Sequence, residues 1–106
     1  MLYLLYVPVK NPQNAEEIAS ELLKQNLAAC INLLGPIRSY YRYEGVMESS
    51  QEYLMLVKVP QQKKKEAERL INQLHHYDLP CIASICFDDV DEKFLKWVES
   101  SCNITY

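Results

Sequence analysis

The residues best suited to chemistry in this sequence are soft metal donors: cysteines at positions 30, 81, 86 and 102, and the adjacent histidines His75 and His76. Thiolate and imidazole suit copper and zinc, whereas hard ions such as magnesium prefer oxygen. The spacing forms no chelating motif, because no two cysteines are separated by two residues. Cys81 and Cys86 are five positions apart, so in one regular strand they point to opposite faces and cannot share an ion without a bulge. Cys30 sits in the apolar run Leu27-Ala28-Ala29-Cys30-Ile31, where a free thiol is more often a small packed hydrophobe than a ligand. His75 and His76 fall where a helix should end, and there the helix dipole favours a protonated imidazole, so capping competes with ligation.

A catalytic reading finds less. No serine or cysteine nucleophile stands at a telling spacing from a histidine and a carboxylate. Lys58, Glu52 and Asp78 could move protons, but a lysine among carboxylates is more commonly a fixed ion pair. The chain is therefore expected not to be an enzyme. Its two glycines, Gly35 and Gly45, leave no Gly-rich phosphate loop. A net charge of −3 offers no basic field for a nucleic acid. The run Lys63-Lys64-Lys65-Glu66, with Glu68 and Arg69, is the solvated face of a helix carrying mixed-sign pairs. The N-terminal run Met1 to Val7 is far too short to span a membrane and lacks a preceding basic region, so it is expected to be a strand. No membrane association, a cytoplasmic location and reduced thiols follow as expectations.

These side chains need elements to position them, and 106 residues with 49% hydrophobic content suit one domain, residues 1–106. Residues 2–7 are β-prone and apolar on both faces, which suits a central strand. Ala15, Ile18, Ala19, Leu22 and Leu23 follow helical spacing, with Asn14 and Glu17 in a capping-box relation and Asn26 at the end, predicting a helix over 14–25. Residues 27–43, interrupted at Gly35-Pro36, make a long or bent strand. Glu44-Gly45 is a turn, and 52–59 returns with Tyr53, Met55 and Val57 on one face and Leu54, Leu56 and Lys58 on the other. Ala67, Leu70, Ile71 and Leu74 stripe a second helix ending near His75. Residues 81–87 follow Pro80 as a fourth strand, and Asp89 and Glu92 introduce a short last helix. The order βαββαβ plus a small helix predicts an α+β, ferredoxin-like sandwich with both long helices on one side of an antiparallel sheet. The other side then needs cover, which argues for an oligomer.

On that frame four segments resemble the CutA divalent-cation tolerance proteins: Leu27-Ala28-Ala29-Cys30-Ile31-Asn32, Ser39 to Gly45, Glu52 to Lys58, and His75 to Pro80. Each is short, but together they span most of the chain in the right order. The resemblance implies a homotrimer, similar to the PII-type signalling trimers, in which long hairpins reach onto neighbouring subunits and leave clefts between them. It also implies a cleft built from Tyr41, Tyr43, Glu52, Lys58, Tyr77, Asp78 and Pro80, with Cys30 and His75 as the candidate metal ligands. No cofactor is expected to be obligatory, and copper or another divalent ion is the candidate ligand. The function implied is copper or divalent-cation tolerance, with a PII-like module that binds a small metabolite or a partner protein as the alternative. The sequence departs from the family pattern at Tyr43 (usually Trp), His76 (Pro), Asp78 (Glu) and Cys81 (often Glu), and the last change removes a carboxylate from the cleft.

Overall fold

Strand β1 (Leu2–Val9) runs through the middle of a four-stranded antiparallel sheet of order β2-β3-β1-β4, with β2 Cys30–Tyr43, β3 Val46–Pro60 and β4 Ala83–Cys86. The structure is a computed structural model and describes residues 1–104. Helices α1 (Pro12–Lys24) and α2 (Lys64–Leu74) provide the crossovers, α2 being preceded by a 3-10 turn over Gln61–Lys63, and α3 (Glu92–Ser101) is the last element of the described residues. This is the ferredoxin-like α+β arrangement expected from the element order.

Period-two alternation decides what the sheet buries. Leu5, Val7 and Val9 of β1 and Met55, Val57 and Val59 of β3 are fully buried, in one cluster with Ala15, Ile18 and Leu22 of α1 and Ala67 and Ile71 of α2. The opposite face carries Leu4 and Tyr6, Leu54, Leu56 and Lys58, and Ile85, which the register sets side by side. Helix α3 covers only one end of that face, where Lys58 Nζ lies 5.8 Å from the centre of the Phe94 ring. On the same face Leu34 and Ile85 remain 46% and 52% exposed, a surface that apolar residues do not favour in isolation.

The start of α1 differs from the expectation. Asn11, not Asn14, is the cap: its side chain accepts the Asn14 backbone N–H at 2.8 Å and Pro12 opens the helix, so α1 begins two residues early. Asn14 is instead fully buried, its amide donating to the Leu74 carbonyl at 3.0 Å and its Oδ1 accepting the His76 N–H at 3.1 Å. A capping box read from spacing alone cannot show that the side chain turns inward to a residue sixty positions away. The end of α1 is as expected, with Asn26 left-handed (φ 57°) and the Leu27 N–H closing onto the Leu22 carbonyl at 2.9 Å.

Strand β3 begins at Val46, six residues before the expected Glu52, because pairing with β2 holds a stretch whose own alternation is weak. Tyr43 pairs with Val46 across the two-residue turn Glu44-Gly45, both left-handed (φ 50° and 81°), the geometry that matches strand twist. Since β1 pairs only with residues 53–60 of β3, the hairpin runs beyond the sheet as a two-stranded arm, and the molecule measures 51 × 26 × 21 Å. The register shifts between Leu34 and Ile37, at Gly35-Pro36, where any Cβ on Gly35 would collide with the Tyr53 ring. Strand β4 is shorter than expected, covering 83–86 rather than 81–87.

Candidate functional site

Where the arm leaves the sheet, the segment between α2 and β4 crosses beside it and the two enclose an open groove of about 800 Å³. Its walls include Tyr41, Tyr43 and Glu52 from the arm and His76, Tyr77 and Cys81 from the crossing segment. The Tyr77 hydroxyl donates to Glu52 Oε2 at 2.8 Å and so ties one wall to the other. Burial, then the hydrogen bond to the Glu52 carboxylate and the negative charge beside it, push the Tyr77 phenol up to about 12, which keeps it a donor throughout the neutral range.

The position of Tyr77 is set by His75. This ring is buried, its Nδ1 accepts the Tyr77 backbone N–H at 3.1 Å, and its Nε2 lies 2.8 Å from the Pro8 carbonyl. An Nδ1 that accepts and an Nε2 that faces a carbonyl define the neutral imidazole protonated on Nε2. The His75 and Tyr77 rings also pack with centres 4.9 Å apart. Asn14 holds the next backbone N–H, that of His76. The crossing segment is thus fastened at three successive residues, and the groove wall is rigid where it meets the helix layer.

The remaining candidates lie elsewhere. Cys30 and Lys58 are cross-strand partners, and Lys58 Nζ donates to Asn32 Oδ1 at 2.8 Å while standing 3.9 Å from Cys30 Sγ. Lys58 is six residues along β3 from Glu52, a separation of roughly 20 Å at strand rise. The residues expected to share one cleft therefore form two sites in a single chain, Tyr41, Tyr43, Glu52 and Tyr77 at the groove and Cys30 with Lys58 beside α3. Asp78 is exposed and Pro80 half-buried in the crossing segment, between the groove residues Tyr77 and Cys81.

The expected donor pair Cys30 and His75 is not assembled. Both His75 nitrogens are engaged by the backbone, and the Lys58 ammonium beside Cys30 repels a second cation. Among the described residues no three of His, Cys, Asp and Glu come together as a ready-made ion site. His75, the expected ligand, is the internal clamp, and His76, to which no site role was given, faces the groove. Sequence reasoning took Asn14 for a helix cap and gave no role to Lys10; the first is a buried amide bridging α1 and α2, and the second lines the groove. All four cysteines are unpaired.

A second depression, about 530 Å³ beside Tyr3, Lys64, Lys65 and Ser84, has Lys64 already bound to Glu68 at 3.2 Å and stacked over the Tyr3 ring.

Comparison with known proteins gives a consistent result. Residues 3–101 match a family model described as CutA1 divalent ion tolerance protein. The divalent-cation tolerance protein CutA of Archaeoglobus fulgidus is 34% identical over 92% of this chain and 94% of its own length. That of Pyrococcus horikoshii is 35% identical over the same shares. The solved Archaeoglobus structure, described as a periplasmic divalent cation tolerance protein, superposes with a TM-score of 0.92, covering 96% of this chain and 99% of that one at 33% identity. In the present chain no helix among the described residues is long and apolar enough to cross a membrane.

Proposed function

The chain belongs to the CutA1 divalent ion tolerance protein family, and from that premise we propose that it works as a homotrimeric, non-enzymatic cation-tolerance protein of the cytoplasm, handling copper or another divalent ion at surfaces formed between chains. The observation that carries the assembly is the arm. A two-stranded ribbon is marginal in water, yet this one exposes Tyr40, Tyr43, Val46 and Met47 at 58–74% and continues an uncovered apolar sheet face. Tyrosine and methionine are the side chains favoured at protein contacts. Docking each arm on a neighbour buries both surfaces at once, and three copies close the ring without leaving an end.

The non-enzymatic reading rests on how two of the three proton-transfer candidates are occupied: Lys58 is bound to Asn32 and Glu52 to Tyr77, each in a fixed partnership, while Asp78 is exposed and does not line the groove. The cytoplasmic reading rests on four unpaired thiols, at home in a reducing compartment. Light scattering tests the assembly, with a mass near three times 12.4 kDa expected; a monomer at micromolar concentration would refute it. Growth of cells lacking and overproducing the protein, on graded copper, zinc and cobalt, tests the tolerance, and unchanged growth on all three would sink it.

The groove favours a second reading. Its tyrosines and the Tyr77–Glu52 hydrogen bond between its walls suit a planar metabolite, as in a PII-like signalling module, with a partner protein reading the result. A thermal-shift screen separates the two: stabilisation by metal ions alone supports the tolerance reading, and stabilisation by a nucleotide or organic anion supports the signalling one.

A further inference from the structure

One buried titratable side chain has both ring nitrogens committed to backbone. His75 is 8% exposed, its Nε2 stands 2.8 Å from the Pro8 carbonyl of β1, and its Nδ1 accepts the Tyr77 N–H at 3.1 Å. The neutral ring satisfies both partners, one nitrogen donating and the other accepting. A second proton has only Nδ1 to go to, and there it meets the Tyr77 N–H donor to donor. A charged ring and a closed clamp therefore exclude each other. Every one of these contacts lies within a single chain, so the clamp does not depend on what covers the arm.

We propose that His75 is a proton-operated latch on the groove wall, closed while the imidazole is neutral and released on mild acidification, so that Tyr77 and the residues after it leave the helix layer. Asn14 is the pivot: its Oδ1 accepts the His76 N–H and its amide holds the Leu74 carbonyl, and neither bond depends on a titrating group. The groups around the ring set up a conflict that release resolves. The C-terminus of α2 ends at His75 and its dipole favours a positive ring, as does the Glu52 carboxylate of β3 bound to the Tyr77 hydroxyl. Lys10 of the groove acts against that charge. From β1 and α1 the ring meets neutral partners, the Pro8 carbonyl and the Asn14 amide. The Tyr77 phenol, its ring centre 4.9 Å away, is pushed up to about 12 and stays neutral in acid. His76 is exposed, and the clamp holds its backbone rather than its ring. Because Tyr77 also ties the segment to Glu52 of the arm, release transfers this wall from the helix layer to the arm and changes the width of the groove. The latch is independent of what the groove receives.

Imidazole nitrogen NMR of the full chain between pH 8 and pH 5, with amide hydrogen exchange at each step, tests it. Expected are a His75 ring protonated on Nε2 alone at the neutral end, and charging of that ring in step with release of the Tyr77 amide. Corrected for intrinsic rates, Tyr77 exchange should quicken about tenfold from pH 6 to pH 5 relative to the His76 amide that Asn14 holds. His75→Gln, which offers the Pro8 carbonyl a donor but takes up no proton, should abolish this dependence, and His76→Ala and Glu52→Gln should retain it. A charged His75 ring with the Tyr77 amide still protected, a constant ratio of the two exchange rates, or the same change in His75→Gln would overturn the latch and leave the cation-tolerance reading untouched. Should His75→Gln fail to fold, the coincidence of ring charging and amide release in the wild type decides alone.

Discussion

At the level of single side chains, Tyr77 and His75 carry the clearest consequences. Tyr77 is neutral when folded up to about pH 12, whereas an unfolded tyrosine ionises near 10. The folded pKa is the higher of the two, so this group's contribution to stability is complete below pH 10 and is lost as pH rises from 10 to 12. Wild type should therefore lose stability over that window more steeply than Tyr77→Phe, and ultraviolet titration should show one late phenol that moves towards 10 in Glu52→Gln. His75→Ala strands the Pro8 carbonyl and the Tyr77 N–H, and a loss of about 2 kcal/mol or more in urea unfolding is expected. His76→Ala, one position on but exposed, should cost next to nothing, and equal losses for the two histidines would contradict the roles assigned to them.

At the level of elements, the β2–β3 arm depends on two backbone positions. Gly45 sits at φ 81° with open space around it, so Gly45→Ala is opposed by backbone conformation alone and should cost about 1 kcal/mol. Gly35→Ala drives a methyl group into the Tyr53 ring, which is partly buried against the core, and should cost about 2 kcal/mol by overpacking. Thermal melts of the two variants give the ranking, and a reversal would mean that the Tyr53 ring moves freely. The sequence marked Gly45 as a turn and Gly35 only as an interruption of a long strand; what the interruption does, making room for a ring across the ladder, appears only in the fold.

For the whole molecule, the decisive feature is the mismatch between the amount of apolar surface and the cover that one chain provides. Tyr40→Glu with Met47→Glu places charge on exposed arm positions that contact nothing essential in the isolated chain. The double change should lower the mass seen by light scattering towards 12.4 kDa while the far-ultraviolet circular dichroism stays close to wild type. An unchanged mass would take the arm out of the assembly.

The sequence by itself determined the elements and the fold they make. Helical stripes at Ala15, Ile18 and Leu22 and at Ala67 and Ile71, alternation through Met55 and Val57, and turn residues at Asn26 and Gly45 are local signals that all agree with one topology. The family was legible for the same reason, since its segments follow that order. The site was legible only as an inventory. Donor chemistry and the family resemblance could name Cys30 and His75 together, but hydrogen bonds across the fold decide which donors are free, and those join His75 to Pro8 sixty-seven positions away and Lys58 to Asn32 twenty-six away. Nor could periodicity show that Lys58 and Glu52, on one strand, belong to different surfaces, because strand rise separates them by roughly 20 Å while alternation sets them on the same face. Local pattern sets which way a side chain points; the packing of distant segments sets what it meets there.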